Sequence, residues 1–128
     1  MDRHLFRPLV LVLSVLAMAG CWQKDIGRSY YPSGSIRTEA TVRNGLLNGA
    51  AVMYFENGEK MSEAHYKDGM LDGVSLSYYP SGKRKAEAAY LEGVLHGKSI
   101  AWREDGFLLS QAEFERGRLV LPAASVQH

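Results

Sequence analysis

Short runs of alternating apolar and polar side chains, separated by turn-forming residues, occupy most of the chain. One pair of runs spans residues 35–42 and 50–55, with a segment rich in Asn and Gly between them. Runs of about six to eight residues with β-branched or aromatic side chains, bounded by Gly, Asn, Pro or Ser, are typical of β-hairpins. No long stretch has helical periodicity. The pattern predicts about eight short antiparallel strands, from near Asp25 to near Val120.

The same pattern returns every 24 residues, with no insertions between copies. The motif Tyr30–Gly34 recurs at Tyr54–Gly58, Tyr78–Gly82 and Trp102–Gly106. Two further sets of glycines keep the same step: Gly45, Gly69, Gly93 and Gly117, and Gly49, Gly73 and Gly97. Such a strict period indicates structural units that cover their apolar faces by stacking on their neighbours. We therefore predict an all-β fold, an elongated antiparallel meander of 24-residue β-hairpin repeats in a single curled sheet.

Aligned copies predict which side chains share a face of the sheet, since residues two apart on a strand point the same way. We expect one apolar side built from four sets of residues: Ala40, Ala64, Ala88 and Ala112; Val42, Tyr66, Tyr90 and Phe114; Val52, Leu76 and Ile100; and Tyr54, Tyr78 and Trp102. The other side is expected to carry two sets: Glu39, Glu63, Glu87 and Gln111; and Thr41, His65, Ala89 and Glu113.

Tyr-Tyr-x-x-Gly, a Glu five residues after that glycine, and Gly-x-Leu-x-Gly together resemble the MORN-repeat variant. Bacterial chains of this type are grouped as YwqK-family antitoxin-like proteins. The resemblance covers four repeats at residues 30–121, of which the fourth is incomplete. There Gln111 replaces Glu and Leu121 stands where Gly is expected. The resemblance implies an interaction module, and the antitoxin label implies a protein that neutralises a toxin by binding it.

The first 20 residues are of a different kind. Arg3 and Arg7 precede an almost wholly apolar run that ends in small residues before Cys21, the only cysteine. This layout is typical of a secretory signal peptide and is too short for a membrane span. Ala19-Gly20-Cys21 resembles the lipobox of bacterial lipoproteins, which predicts a signal peptide at 1–20 and lipidation of Cys21. A plain secreted protein with a stray thiol is the alternative.

The predicted anchor sets the expected location. Residues 21–29 would form the lipidated tether and first strand, and residues 122–128 a C-terminal tail. Several acyl chains hold a protein on a membrane almost permanently, whereas a single chain is marginal. Trp22 after the cysteine, by resemblance to Gram-negative sorting rules, favours the outer membrane, with the repeats facing the periplasm or the cell surface.

Charge argues against a nucleic-acid partner. The whole chain has 15 basic and 14 acidic side chains, and residues 1–20 contain Arg3, Arg7 and Asp2. Without that segment 13 of each remain, so the formal net charge is zero. Nucleic-acid binding depends on an excess of Lys and Arg. The sequence therefore predicts no nucleic-acid partner.

Catalytic and metal-binding groups are weakly represented. The row formed by Glu39, Glu63 and Glu87 has a spacing of about 10 Å, because equivalent strands are two strand spacings apart. That distance is too long for a shared proton or a shared ion. The histidines have no metal-ligand spacing. We therefore expect no enzyme, no cofactor and no metal. A hydrolase that uses Glu63 and Glu87 is the catalytic alternative.

The aromatic residues that follow Tyr30, Tyr54 and Tyr78 offer the better binding hypothesis. We predict a semi-exposed partner-contact strip at Tyr31, Phe55, Tyr79 and, in the fourth copy, Arg103. Exposed Tyr and Arg are favoured anchors of protein interfaces. The preferred hypothesis is a lipid-anchored protein that binds another protein, in its sharper form a toxin or effector. The alternative is a structural or lipid-contacting module of the outer membrane.

Overall fold

The computed structural model describes residues 24–121, and these form a single antiparallel sheet with no helix. The strands are β1 Lys24–Tyr30, β2 Ile36–Arg43, β3 Leu46–Tyr54, β4 Lys60–Lys67, β5 Met70–Leu71, β6 Gly73–Tyr78, β7 Arg84–Leu91, β8 Val94–Trp102, β9 Leu108–Glu115 and β10 Arg118–Val120. The sheet order is β1-β2-β3-β4-β6-β7-β8-β9-β10, and β5 pairs with β4. Apart from the short β5, each strand pairs with the next one along the chain, so the sheet is an open meander, which confirms the predicted fold class.

The strand count differs from the predicted eight for two reasons. The return strand of the second hairpin is interrupted at Asp72, whose amide donates to the carbonyl of His65 at 2.9 Å, and this divides it into β5 and β6. The chain also adds a short last strand, β10, which ends at Val120. The ends of the meander lie close to the predicted residues 25 and 120.

A two-residue turn closes one end of each hairpin. The turns are Asn44-Gly45, Asp68-Gly69, Glu92-Gly93 and Arg116-Gly117. In each turn both residues have positive φ, between 49° and 82°. This is the type I′ geometry, whose twist matches that of the flanking strands. Asn and Asp tolerate it better than Glu and Arg do. The positive φ of Glu92 and Arg116 is therefore imposed by the surrounding sheet more than by the intrinsic conformational preference of these residues.

A four-residue turn closes the other end. In the first copy the Gly34 amide donates to the Tyr31 carbonyl at 2.9 Å, and the Tyr31 amide donates to the Ser35 carbonyl at 2.9 Å. Gly34 has φ of 90°, which is why glycine stands there. The same bonds recur 24, 48 and 72 residues later. Each turn is followed by a β-bulge, at Arg37, Met61, Lys85 and Leu109.

The register corrects the predicted faces. Val52 pairs with Glu39 and with Glu63, so Val52, Leu76 and Ile100 lie on the glutamate side and not on the alanine side. The aromatic residues two positions farther on share this side, which also corrects the prediction for Tyr54, Tyr78 and Trp102. The physical reason is the two-residue turn, which places even-numbered residues of one strand opposite odd-numbered residues of the next. We call this side the glutamate face. The opposite side is the alanine face, defined by Ala40, Ala51, Ala64, Ala88 and Ala112 and by Tyr66 and Tyr90.

Candidate functional site

Within residues 24–121 no side chain is fully buried. A single-layer sheet has no second layer to cover either face, so even its largest apolar residues stay half-buried or exposed. The described part of the chain therefore offers open surfaces, and a binding site would have to lie on one of them.

The predicted contact strip lies along the edge formed by the four-residue turns. Tyr31, Phe55 and Tyr79 each occupy the first position of a turn and are half-buried, whereas Arg103 is exposed. Because equivalent turns are two strands apart, these residues repeat about every 10 Å along the edge. We call this set the turn-edge strip. The structure places the three aromatic residues and Arg103 at equivalent positions of successive copies.

The tyrosines of the strip also hold neighbouring repeats together. The Tyr31 hydroxyl donates to the Tyr54 carbonyl at 2.7 Å, and the Tyr79 hydroxyl donates to the Trp102 carbonyl at 2.9 Å. Each acceptor belongs to the next repeat. Phe55 has no hydroxyl, so the equivalent bond to Tyr78 is absent at the second turn. The strip is therefore part of the fold as well as a candidate surface.

Cationic side chains from the bulges lie over two of the rings. The Arg37 guanidinium is 6.0 Å from the centre of the Tyr31 ring, and the Lys85 ammonium is 5.7 Å from that of Tyr79. The sequence analysis missed Arg37 and Lys85, because both are bulge residues and the bulges were not predicted. A basic residue at the same place in two copies was the signal that could have found them.

The fourth turn replaces the aromatic side chain with a charge pair. Arg103 donates to the Asp105 carboxylate and lies over the Phe107 ring, 5.2 Å from its centre. The bond to Arg103, together with a bond from the Phe107 amide, lowers the pKa of Asp105 below its ordinary value. The same pair raises the pKa of Arg103. This end of the strip is charged, in contrast to the aromatic part.

Each glutamate of the row on the glutamate face has its own cation. Arg28 Nε lies 2.7 Å from Glu39 Oε2, Lys60 Nζ 2.9 Å from Glu63 Oε2, and Arg84 Nη1 3.3 Å from Glu87 Oε2. Hydrogen bonding to the carboxylate raises the pKa of Arg28 and of Lys60. Lys60 and Arg84 each precede their glutamate by three residues. They lie on the same face as that glutamate because a β-bulge, at Met61 or Lys85, separates the two residues of each pair. The glutamates are thus engaged in separate ion pairs.

The two histidines in the strands differ in how they are bonded, His96 through its side chain and His65 through its main chain. His96 Nδ1 accepts a hydrogen bond from the Arg116 amide at 3.3 Å, and the His65 carbonyl accepts one from the Asp72 amide. Asp72 in turn accepts a 3.3 Å bond from the Glu92 amide. Among residues 24–121, no three His, Cys, Asp or Glu residues are grouped as metal ligands would be.

A family comparison matches this architecture. The family described as the MORN repeat variant matches residues 26–44, 47–68 and 71–92. The chain contains MORN repeat variants. The match ends at Glu92, so the fourth copy, with Arg103 and Gln111, lies beyond it. A search of curated proteins found no match.

Two further observations concern the predicted anchor. Cys21, the segment 1–20 and the tail 122–128 lie outside the described residues. Among the residues that are described, no helix is long and apolar enough to span a membrane. Lipidation of Cys21 stays a prediction.

Proposed function

We propose that this MORN-repeat chain is a non-catalytic lipoprotein, anchored in the outer membrane through Cys21, that binds another protein through its turn-edge strip. The observation that carries the proposal is the regular line of Tyr31, Phe55 and Tyr79, half-buried on an uncovered sheet. The Tyr31 and Tyr79 rings, whose hydroxyls are hydrogen-bonded to the next repeat, lose little entropy on binding, which suits them as interface anchors.

Charge supports a protein partner over an anionic surface. On the glutamate face Arg28, Lys60 and Arg84 are each paired with a carboxylate, which reduces their contribution to any basic patch. Attraction to acidic lipid headgroups or to nucleic acid depends on such a patch. The sharper form of the proposal is an antitoxin or immunity role, in which the partner is a toxin or effector that acts in the envelope.

A photo-crosslinking amino acid at position 103 tests the binding surface. Arg103 is exposed and belongs to the strip, and Arg118, at the opposite edge of the sheet, is an exposed arginine that serves as its matched control. In living cells, position 103 is expected to crosslink to one defined protein and position 118 is not. Equal crosslinking at both positions, or none at either, would contradict the strip.

The antitoxin form has its own test. Cells that lack the protein should become sensitive to one particular effector, and the intact protein should restore survival. Arg103→Glu should reduce that rescue, whereas Arg118→Glu should not. If survival is unchanged against every effector of the producing cell and its neighbours, the antitoxin role is wrong, although binding to another protein could still hold.

The anchor is tested separately by mass spectrometry of the purified protein. Lipidation at Cys21 predicts loss of residues 1–20 and the added mass of acyl chains. Cys21→Ser should abolish both and release the protein from the membrane fraction. An unmodified Cys21 thiol in the mature protein would contradict the anchor.

One observation favours the alternative of lipid contact. Leu46, Met70 and Val94 lie at equivalent places beside the two-residue turns, and each is about half exposed. Together they form an apolar row along that edge. Flotation of the Cys21→Ser protein with liposomes tests this role. Flotation that is lost in Met70→Ser would favour lipid contact, whereas a protein that stays in solution excludes it.

A further inference from the structure

Strand β1 is an open edge of the sheet. Lys24–Tyr30 pairs with β2 on one side, and all seven of its residues are exposed, including Ile26 at 51% and Tyr30 at 57%. Among residues 24–121, no strand pairs with its outer side. An edge of this length is a template for another strand. At the opposite edge, β10 has only three residues and pairs with Glu113–Glu115 of β9.

The charges on β1 decide which strand can pair with it. Lys24, Ile26 and Arg28 lie on the glutamate face, opposite Arg43, Thr41 and Glu39 of β2. Asp25, Gly27 and Ser29 lie on the alanine face. Charged residues on an edge strand oppose pairing wherever they meet like charges. Any partner strand must therefore place something other than a cation beside Lys24 and Arg28.

A second copy of β1 meets this requirement along the full length of the strand in one register. Two antiparallel copies are related by a twofold axis perpendicular to the sheet, so each pair must join residues of the same face. Centring the pair on Ile26 places Lys24 opposite Arg28. Centring it on Arg28 places two arginines opposite each other. Centring it on Gly27 pairs Lys24 with Tyr30, Asp25 with Ser29 and Ile26 with Arg28.

We propose that two copies of this chain pair antiparallel through β1, centred on Gly27, and so join their sheets into one. All seven residues of each strand then take part. The stem of Arg28 covers Ile26 of the second copy, and the Lys24 ammonium meets the Tyr30 ring, a favourable cation–π pair. This inference goes beyond the proposed function and depends neither on the anchor nor on a toxin.

Gly27 provides a direct test of the register. Its φ is not positive, and a Cβ there would meet only the Ala40 carbonyl oxygen, at 3.9 Å, so a side chain is tolerated. In the proposed dimer the two Gly27 Cα atoms lie about 4.5–5.5 Å apart, within the range of a disulfide. In the complete chain carrying Cys21→Ser, Gly27→Cys is expected to form a covalent dimer under mild oxidation.

Ser29→Cys is the matched control. In the same register the two Ser29 Cα atoms are four residues apart along the pair, about 13 Å, which is too far for a disulfide. Crosslinking at Gly27 without crosslinking at Ser29 supports the proposal. Equal crosslinking at both positions, or none at Gly27, overturns the register.

Two charge variants at Ile26 test the pairing without a crosslink. Ile26→Glu would place a carboxylate opposite Arg28 of the second copy, and Ile26→Lys would place a second cation there. Two such cross-strand pairs form per dimer, so Kd should fall about two- to thirtyfold with Glu and rise by a similar factor with Lys. Sedimentation equilibrium of the complete Cys21→Ser chain measures Kd.

The outcomes are distinct. Opposite shifts in Kd for the two variants support pairing with Arg28, whereas no shift in either variant, or shifts of the same sign, overturns this register. Far-UV circular dichroism checks that both variants keep the sheet, which the exposure of Ile26 favours. A chain that stays monomeric at all concentrations overturns the proposal.

Discussion

The two ends of each hairpin are joined to their neighbours in different ways. At the four-residue turns the bond between repeats comes from a side chain, the hydroxyl of Tyr31 or Tyr79. At the two-residue turns it comes from the main chain: the Gly69, Gly93 and Gly117 amides donate to leucine carbonyls of the preceding hairpin at 2.7–2.8 Å. A main-chain bond is independent of residue type, so the second kind survives sequence change that breaks the first.

The copies show this difference directly. Phe55 and Arg103 remove the hydroxyl from two of the four tyrosine positions, and no equivalent bond forms there. The two-residue turns vary from Asn44 to Arg116, yet the glycine amide keeps its bond in each later turn. Variation at the four-residue turns therefore changes how the repeats are coupled and what the surface offers to a partner.

The largest effect is expected from Gly97→Ala, at the end where main-chain geometry dominates. Gly97 has φ of 110°, and an added Cβ would lie 3.0 Å from the Ala89 Cβ. Both strain and crowding oppose the change, so the free energy of unfolding should fall by about 2–4 kcal/mol. Urea unfolding followed by far-UV circular dichroism measures it.

Gly58→Ala is the control at the other end. Gly58 has φ of 88°, but a Cβ there would meet nothing within 4 Å. Only the backbone strain remains, so the loss should be about 1–2 kcal/mol. Equal losses at Gly58 and Gly97 would mean that contact with the neighbouring strand has no role.

A smaller effect is expected from Tyr79→Phe, which removes the hydroxyl and leaves the ring. The Trp102 carbonyl loses its donor, so the protein should be destabilised by about 1 kcal/mol. The reverse change, Phe55→Tyr, supplies a hydroxyl to the equivalent Tyr78 carbonyl and should stabilise by about 0.5–1 kcal/mol. Opposite changes in urea midpoint are the expected result, and shifts of the same sign would contradict side-chain coupling.

Turn chemistry made much of this fold predictable. Pro32 and Gly34 indicated one turn, and Asn44-Gly45 indicated the other. The second turn is shorter than predicted, because β3 begins at Leu46 and not at residue 50. The predicted faces of the return strands were wrong for two sets of residues, although a two-residue turn already implies the correct pairing: Val52, Leu76 and Ile100, and Tyr54, Tyr78 and Trp102. Across such a turn, even-numbered residues of one strand pair with odd-numbered residues of the next, so Val52 shares a face with Glu39.

The remaining details could not be read from the sequence. Lys60 reaches Glu63 because the bulge at Met61 places residues three apart on one face. Bulges of this kind depend on pairing with the adjacent strand. The Tyr31 hydroxyl finds a carbonyl 23 residues away only when successive repeats stack in register. Both features arise from the assembled sheet.

A modest gain in stability is expected from Glu92→Asn at the third two-residue turn. Glu92 has φ of 49°, which Asn adopts at lower cost, so the protein should gain about 0.5 kcal/mol. The amide that donates to Asp72 is kept. Glu104→Asn is the control, because Glu104 is an exposed turn residue without positive φ. A similar gain at Glu104 would point to charge and not to turn geometry.

The smallest expected effect is the pH dependence of stability that arises from Asp105 in the fourth four-residue turn. Because Arg103 and the Phe107 amide lower the pKa of Asp105, its ionised form stabilises the fold above its unfolded pKa. That contribution is lost as the pH falls through the lowered folded pKa. Asp105→Asn should keep the bond from the Phe107 amide, as Asn57 does for the Glu59 amide, and lose the ion pair.

The variant should therefore melt slightly below the parent near neutral pH, and the difference should vanish in acid. Thermal melts from neutral pH to about pH 2 measure it. Arg103→Gln removes the same pair from the other side and should give the same pH dependence. A difference in melting temperature between the parent and Asp105→Asn that grows in acid would contradict this prediction. It would mean that charge at this turn opposes the fold, in contrast to the hydroxyl bonds of the preceding copies.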